Sequence, residues 1–134
     1  MTREILREIE NLVGSDDFDY EINEKIELIK AEGAGLETVP PLLRIMERHP
    51  LDYFGTPGAM VHFIETFYPD YEPFLIESLN RRPTLHTLWM LNRVANASSD
   101  KDKYLSLMKE IADSENLEKE IRQSAQEFYD YQTQ

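Results

Sequence analysis

The chain contains no cysteine, so disulfides, thiolate metal sites and thiol catalysis are excluded. Its histidines are His49, His62 and His86. His62 and Glu65, in the run VHFIE, stand three apart, which places both on one helical face as a metal pair would be. A third ligand would have to come from His49 or His86, far away in sequence, and no H-E-x-x-H arrangement supplies a base beside the pair. The expectation is a local His62–Glu65 hydrogen bond at a helix surface, with no metal and no cofactor. Ser78, Ser98, Ser99 and Ser106 lack the G-x-S-x-G elbow that exposes a nucleophile. GTPG at 55–58 has neither the lysine nor the glycine spacing of a phosphate loop, and its acidic surroundings oppose phosphate. It reads as structure: Gly55 for a turn, Thr56 as cap, Pro57 opening a helix and Gly58 admitting a close neighbour. No residue is assigned a catalytic role.

Asn92 and Arg93 are polar residues late in the stretch RPTLHTLWMLNRVANA, Arg82 to Ala97, whose apolar side chains leave almost no side of a helix polar. Such a helix belongs in the middle of a packed structure. An arginine there must be paired, because an unpaired buried charge is very costly; a structural ion pair with Glu65 or Glu77 is the expectation, ahead of a binding role. His86 falls on the least apolar side of the same helix, where a partly buried, hydrogen-bonded imidazole is expected.

The elements that must hold these residues are short and all helical. The first helix is expected over Thr2–Val13, capped by Thr2, with Ile5, Leu6, Ile9, Leu12 and Val13 inward. Gly14 to Asp17 make an acidic turn. The second runs from Asp19 to Glu32 with Ile22, Ile26 and Ile29 inward, helped by Leu28, and stops at Gly33. The third starts near Thr38 and breaks at His49-Pro50, before an aromatic loop over Leu51 to Gly55. The fourth runs from its Thr56 cap to Tyr68, the fifth from an Asp70 cap to Arg82, and the sixth opens with Pro83 in its first turn. Ser98 to Asp100 close the sixth and cap the seventh; Ser114 caps the eighth, with Leu117, Ile121, Ala125 and Phe128 inward and Tyr131 to Gln134 frayed. The aromatic cluster Tyr53, Phe54, Tyr68 and Tyr71 brackets the fourth helix; most of it is expected to be core, and any tyrosine left exposed beside acidic residues would make an effective interface anchor.

No segment alternates with a period of two, so no sheet is expected. PLLRIMERHP (41–50) echoes PFLIESLNRRP (73–83), with openings 32 residues apart, and Tyr104 starts a third such helix 31 further on. The fold class is all-α in one domain of about eight antiparallel helices, either a HEAT-like solenoid or a compact irregular bundle.

Net charge is −12 and unevenly spread. Residues 1–37 carry −7, residues 38–70 carry −2, residues 71–97 carry +1 and residues 98–134 carry −4. A surface of this kind repels nucleic acid and anionic lipid and attracts a basic partner over distance, although composition alone favours the plainer reading that the acidity serves solubility. The N-terminus shows no signal-peptide pattern and no run approaches a membrane span, so a cytoplasmic location is expected.

With those residues in place, a resemblance is visible. GTPG-x-x-VH-x-IE (Gly55 to Glu65), YEPFL-x-ESL (Tyr71 to Leu79) and RPT-x-HT-x-WMLNR (Arg82 to Arg93) resemble all-helical immunity proteins encoded beside bacterial polymorphic and contact-dependent growth-inhibition toxins. The match covers about a third of the chain. The resemblance implies a non-enzymatic inhibitor that binds a cognate toxin domain, basic in character and possibly a nuclease, and blocks it. Toxin contacts are then expected outside the matched motifs, at Asp16, Asp17, Asp19 and Glu21 or at the Asp52–Tyr53 loop. The alternative is a HEAT-like interaction module for another basic protein; a helical enzyme comes third.

Overall fold

The computed structural model describes residues 2–52 and 58–134, the side chain of Asp19 excepted. The expected roles of Tyr53, Phe54, Gly55, Thr56 and Pro57 therefore lie outside the described residues, as does the Asp19 side chain. Eight α-helices and no strand are present among the described residues. They are α1 (Thr2–Leu12), α2 (Phe18–Ala31), α3 (Val39–Arg48), α4 (Ala59–Glu65), α5 (Glu72–Arg81), α6 (Leu85–Ala97), α7 (Lys101–Ala112) and α8 (Lys119–Gln132), with a 3-10 turn at Leu36–Thr38 leading into α3.

The main packing partners lie one or two places apart along the chain: α1 on α2, α5 on α6, α7 on α8, then α2 on α4, α3 on α5 and α6 on α8. Helices near one another in the chain thus make up a compact, all-helical arrangement. Among the described residues α3 also packs on α6, three places along the chain. Helix α6 accordingly touches α3, α5, α7 and α8 and holds the centre, with Leu88, Met90, Leu91, Val94 and Ala95 buried. It is less apolar all round than expected. Trp89, Asn92, Arg93 and Asn96 recur at helical spacing and form one outward strip, with Trp89 only partly buried.

Two helix ends show how local chemistry sets these boundaries. At the end of α2, the Gly33 N–H donates to the Lys30 carbonyl at 2.9 Å and the Ala34 N–H to the Ile29 carbonyl at 3.2 Å. Gly33 adopts φ +74°, which a side chain would strain, so the helix stops where the glycine was expected to stop it. At the start of α6, the Thr84 and Thr87 hydroxyls each accept the other's backbone N–H at 3.0 Å. This reciprocal cap is buried on both residues. Pro83 thus precedes the cap and does not occupy the first turn.

Other expected caps are corrected. Thr2 lies within α1 and its hydroxyl donates to Glu32 across the α1–α2 hairpin at 2.9 Å. Asp70 precedes the cap position of α5, held by Tyr71 without a side-chain bond. Helix α4 starts at Ala59 behind Gly58, whose φ of +90° requires glycine, and ends at Glu65 in a series of turns before reaching Tyr68. Ser114 does not cap α8: its carbonyl closes a turn to the Leu117 N–H at 3.2 Å, and α8 starts behind Glu118, whose carboxylate is taken by Arg82. The expected fraying at Tyr131 is also absent, because α8 runs to Gln132 and that amide donates to Asn92 at 2.7 Å and Asn96 at 2.8 Å.

Candidate protein-binding surface

Ion pairs that join helices explain most of the polar residues with apparent chemical potential. Arg93 Nε donates to Glu65 at 2.8 Å and the guanidinium lies 4.7 Å above the Trp89 ring. Arg93 is therefore paired as expected, although at the surface, with its side chain 52% exposed. Arg93 engages Glu65, and the expected His62–Glu65 bond is not formed; His62 is exposed at the α2–α4 junction. His86 is half-buried on α6. Among the described residues, no three His, Asp or Glu side chains could hold a metal ion together.

Three further clusters fasten the stack. On α1, Glu10 accepts Arg48 Nε and Nη2, both at 2.6 Å, and lies 3.1 Å from His49 Nε2. These bonds, the Arg48 pair first, hold the Glu10 carboxyl below its usual range. On α3, Glu47 accepts Ser78 Oγ at 2.7 Å and Arg81 Nε and Nη2 at 3.0 and 2.7 Å from α5. Burial pushes that carboxyl up, but the Arg81 and Ser78 bonds outweigh it and the net shift is downward. Arg82 pairs with Glu118 between α5 and α8, lowering the Glu118 carboxyl in the same way.

A cavity of about 210 Å³ lies between Glu65, Tyr68, Tyr71, Arg93, Val94 and Ala97. Burial, then the carboxylates of Glu65 and Glu72, push the Tyr71 hydroxyl well above its usual range and keep it protonated. The cavity thus presents a closed ion pair and a neutral phenol. Of the expected aromatic cluster, Tyr71 is core while Tyr68 is exposed beside it, ring centroids 6.1 Å apart.

The residues expected to meet a partner divide into two places. Asp16 and Asp17 are exposed in the α1–α2 turn, and Glu21 is half-buried one turn into α2. Asp52 belongs elsewhere: its carboxylate is 3.4 Å from His49 Nδ1, in the Glu10–Arg48 cluster. Asp16, Asp17, Glu21 and Glu24 have no cationic partner among the described residues, whereas Lys25 turns from the same helix to Glu8 of α1 at 3.0 Å.

Sequence periodicity missed the apolar part of this face. Leu28, expected to help fill the core, is 49% exposed, and Tyr20 is 72% exposed. Phe18, Ile22, Ile26 and Ile29 take the inward stripe, so Tyr20, Glu24 and Leu28 fall on the opposite side. The available signal was the four-residue spacing of these three, set against an inward set that is already complete without Leu28. Compared with known protein families, curated proteins and solved structures, the chain matches none.

Proposed function

We propose that this chain is a toxin-neutralising immunity protein: a non-enzymatic, cytoplasmic inhibitor that binds a basic bacterial toxin domain and blocks its activity. The observation that carries the reading is the division of its carboxylates. Glu10, Glu47, Glu65 and Glu118 are used up holding helices together. Asp16, Asp17, Glu21 and Glu24 stand without cations in the segment that holds −7 of the net −12. Long-range attraction then steers a basic domain towards that end of the molecule, and like-charged partners are turned away. The motif resemblance at 55–65, 71–79 and 82–93 supports the class, and its residues in α5 and α6 serve the fold: Leu75, Leu79, Met90 and Leu91 are core, and Thr84 is a cap. The partner contacts are then free to lie in α2, outside the matched motifs.

Co-expression tests this. The C-terminal domain encoded by the open reading frame immediately upstream is induced with and without this chain, and surviving colonies are counted. Survival restored only by co-expression, with a one-to-one complex on gel filtration, is the expected result. Undiminished killing in the presence of well-expressed, folded chain would overturn the proposal.

A further inference from the structure

We infer that the partner docks on the outward face of α2, with Tyr20 and Leu28 as its apolar anchors and the adjoining α2–α4 groove receiving a lysine or arginine side chain. The inference rests on the proposed inhibitor reading and adds to it a location and a binding mode.

Three features converge on this face. Tyr20 and Leu28 are among the few large apolar side chains that stand exposed, at 72% and 49%, and both lie on one helix. Eight residues of helix separate them by about 12 Å, with Glu24 between, so both fit beneath a single secondary element of a partner. The tyrosine offers a rigid ring of the kind that carries binding energy at the centre of protein interfaces, and the leucine two turns on adds a lesser aliphatic contact that excludes water. Elsewhere the exposed aromatics Tyr68 and Tyr131 stand apart, the first in the turn between α4 and α5 and the second on α8.

Charge specifies the partner. Asp17 and Glu24 share this side of the helix without a cation, because Lys25 is drawn round to Glu8. Beside them, a groove of about 190 Å³ runs between α2 and α4, lined by Ile26, Glu27, Lys30, Ala59, His62 and Phe63 among others. Its floor is apolar where Ile26 and Phe63 are buried, and Glu27 stands at its rim, 72% exposed and 3.3 Å from Lys30. An aliphatic stem ending in a positive charge suits this combination, with the stem against Ile26 and Phe63 and the cation taking Glu27 from the exposed Lys30. The occupant is thus a basic protein surface that presents an apolar patch next to a lysine or arginine, namely the toxin domain.

The test measures binding of the upstream-encoded C-terminal domain to the full chain by biolayer interferometry. Tyr20→Ala is expected to weaken binding about 30-fold through faster dissociation, and Leu28→Ala about 5-fold. Glu24→Gln with Glu27→Gln is expected to slow association and reduce its salt dependence. Tyr131→Ala, equally conspicuous on α8, serves as the comparison and is expected to leave the Kd within twofold. All five side chains are exposed, and unchanged melting curves establish that the variants fold. A Tyr20→Ala and Leu28→Ala pair that binds within twofold of the parent overturns this docking face while leaving the inhibitor reading standing. Absence of any complex with the parent chain overturns the inhibitor reading and this inference with it.

Discussion

Replacing Glu47 by alanine would open the junction between α3 and α5. The carboxylate is only 8% exposed and accepts three hydrogen bonds, one from Ser78 and two from Arg81. Ser78 has no exposed surface, so losing this acceptor strands a buried hydroxyl at a cost of about 1–3 kcal/mol. Arg81 is 32% exposed and can turn to water, so its pair contributes only about 0.5–1 kcal/mol. Together these give a loss of about 2–4 kcal/mol, equivalent to about 8–15 °C in melting temperature for a chain of this size. Urea unfolding followed through Trp89, the single tryptophan, reads the stability change directly. Ser78→Ala alone should cost about 1 kcal/mol, and the double variant should fall short of additivity by about as much, since one substitution removes the donor that the other strands. A loss below about 1 kcal/mol for Glu47→Ala, or strict additivity in the cycle, would refute the claim that this junction is held by a buried, shared carboxylate.

Three more predictions follow from the packing and the charge pairs. Glu10, Glu47 and Glu118 are all held below the ordinary value of 4.5 in the folded chain. Their contribution is therefore complete above about pH 4.5 and is lost as pH falls through the lowered values, where the unfolded chain takes up protons first; Glu10→Gln should flatten that part of a stability–pH curve. Leu88→Ala, at a fully buried position, should cost about 3 kcal/mol and exceed Trp89→Ala at about 2 kcal/mol, because the indole is only partly buried beneath Arg93; chemical denaturation of both variants, followed by circular dichroism, gives the order. Thr84→Ala should cost about 1–2 kcal/mol by removing half of the reciprocal cap of α6, seen as a lower urea midpoint at unchanged slope.

Helix order was legible because the apolar spacing within each segment is a local property. Ile22, Ile26 and Ile29 announce α2, and Gly33 ends it by its own backbone freedom. The Arg93–Glu65 pair was also within reach, since a charge on an otherwise apolar helix demands a partner. Caps were less legible because several residues could serve. Pro83 and Thr84 both suit the start of α6, and only the hydroxyl exchange with Thr87 decides between them. At α8 the competition is tertiary: Arg82 draws in the carboxylate of Glu118, 36 residues away, and the helix starts there instead of at Ser114. The Glu47 junction is invisible to local pattern for the same reason, its partners lying 31 and 34 residues on. On the candidate surface, Asp16 and Asp17 lie exposed in the acidic turn read from charge clustering, while Leu28 was misplaced because a leucine beside an isoleucine stripe fits either face until the neighbours are known.

The central claim is that this chain inhibits a basic toxin domain by occupying it, without chemistry of its own. The most direct measurement is a titration of purified chain into the purified upstream-encoded domain, following the toxin's own activity at low and high salt. A linear fall to zero activity at one equivalent is expected, with association slowed as salt screens the acidic α2 end. Full toxin activity at several equivalents of folded chain would contradict it.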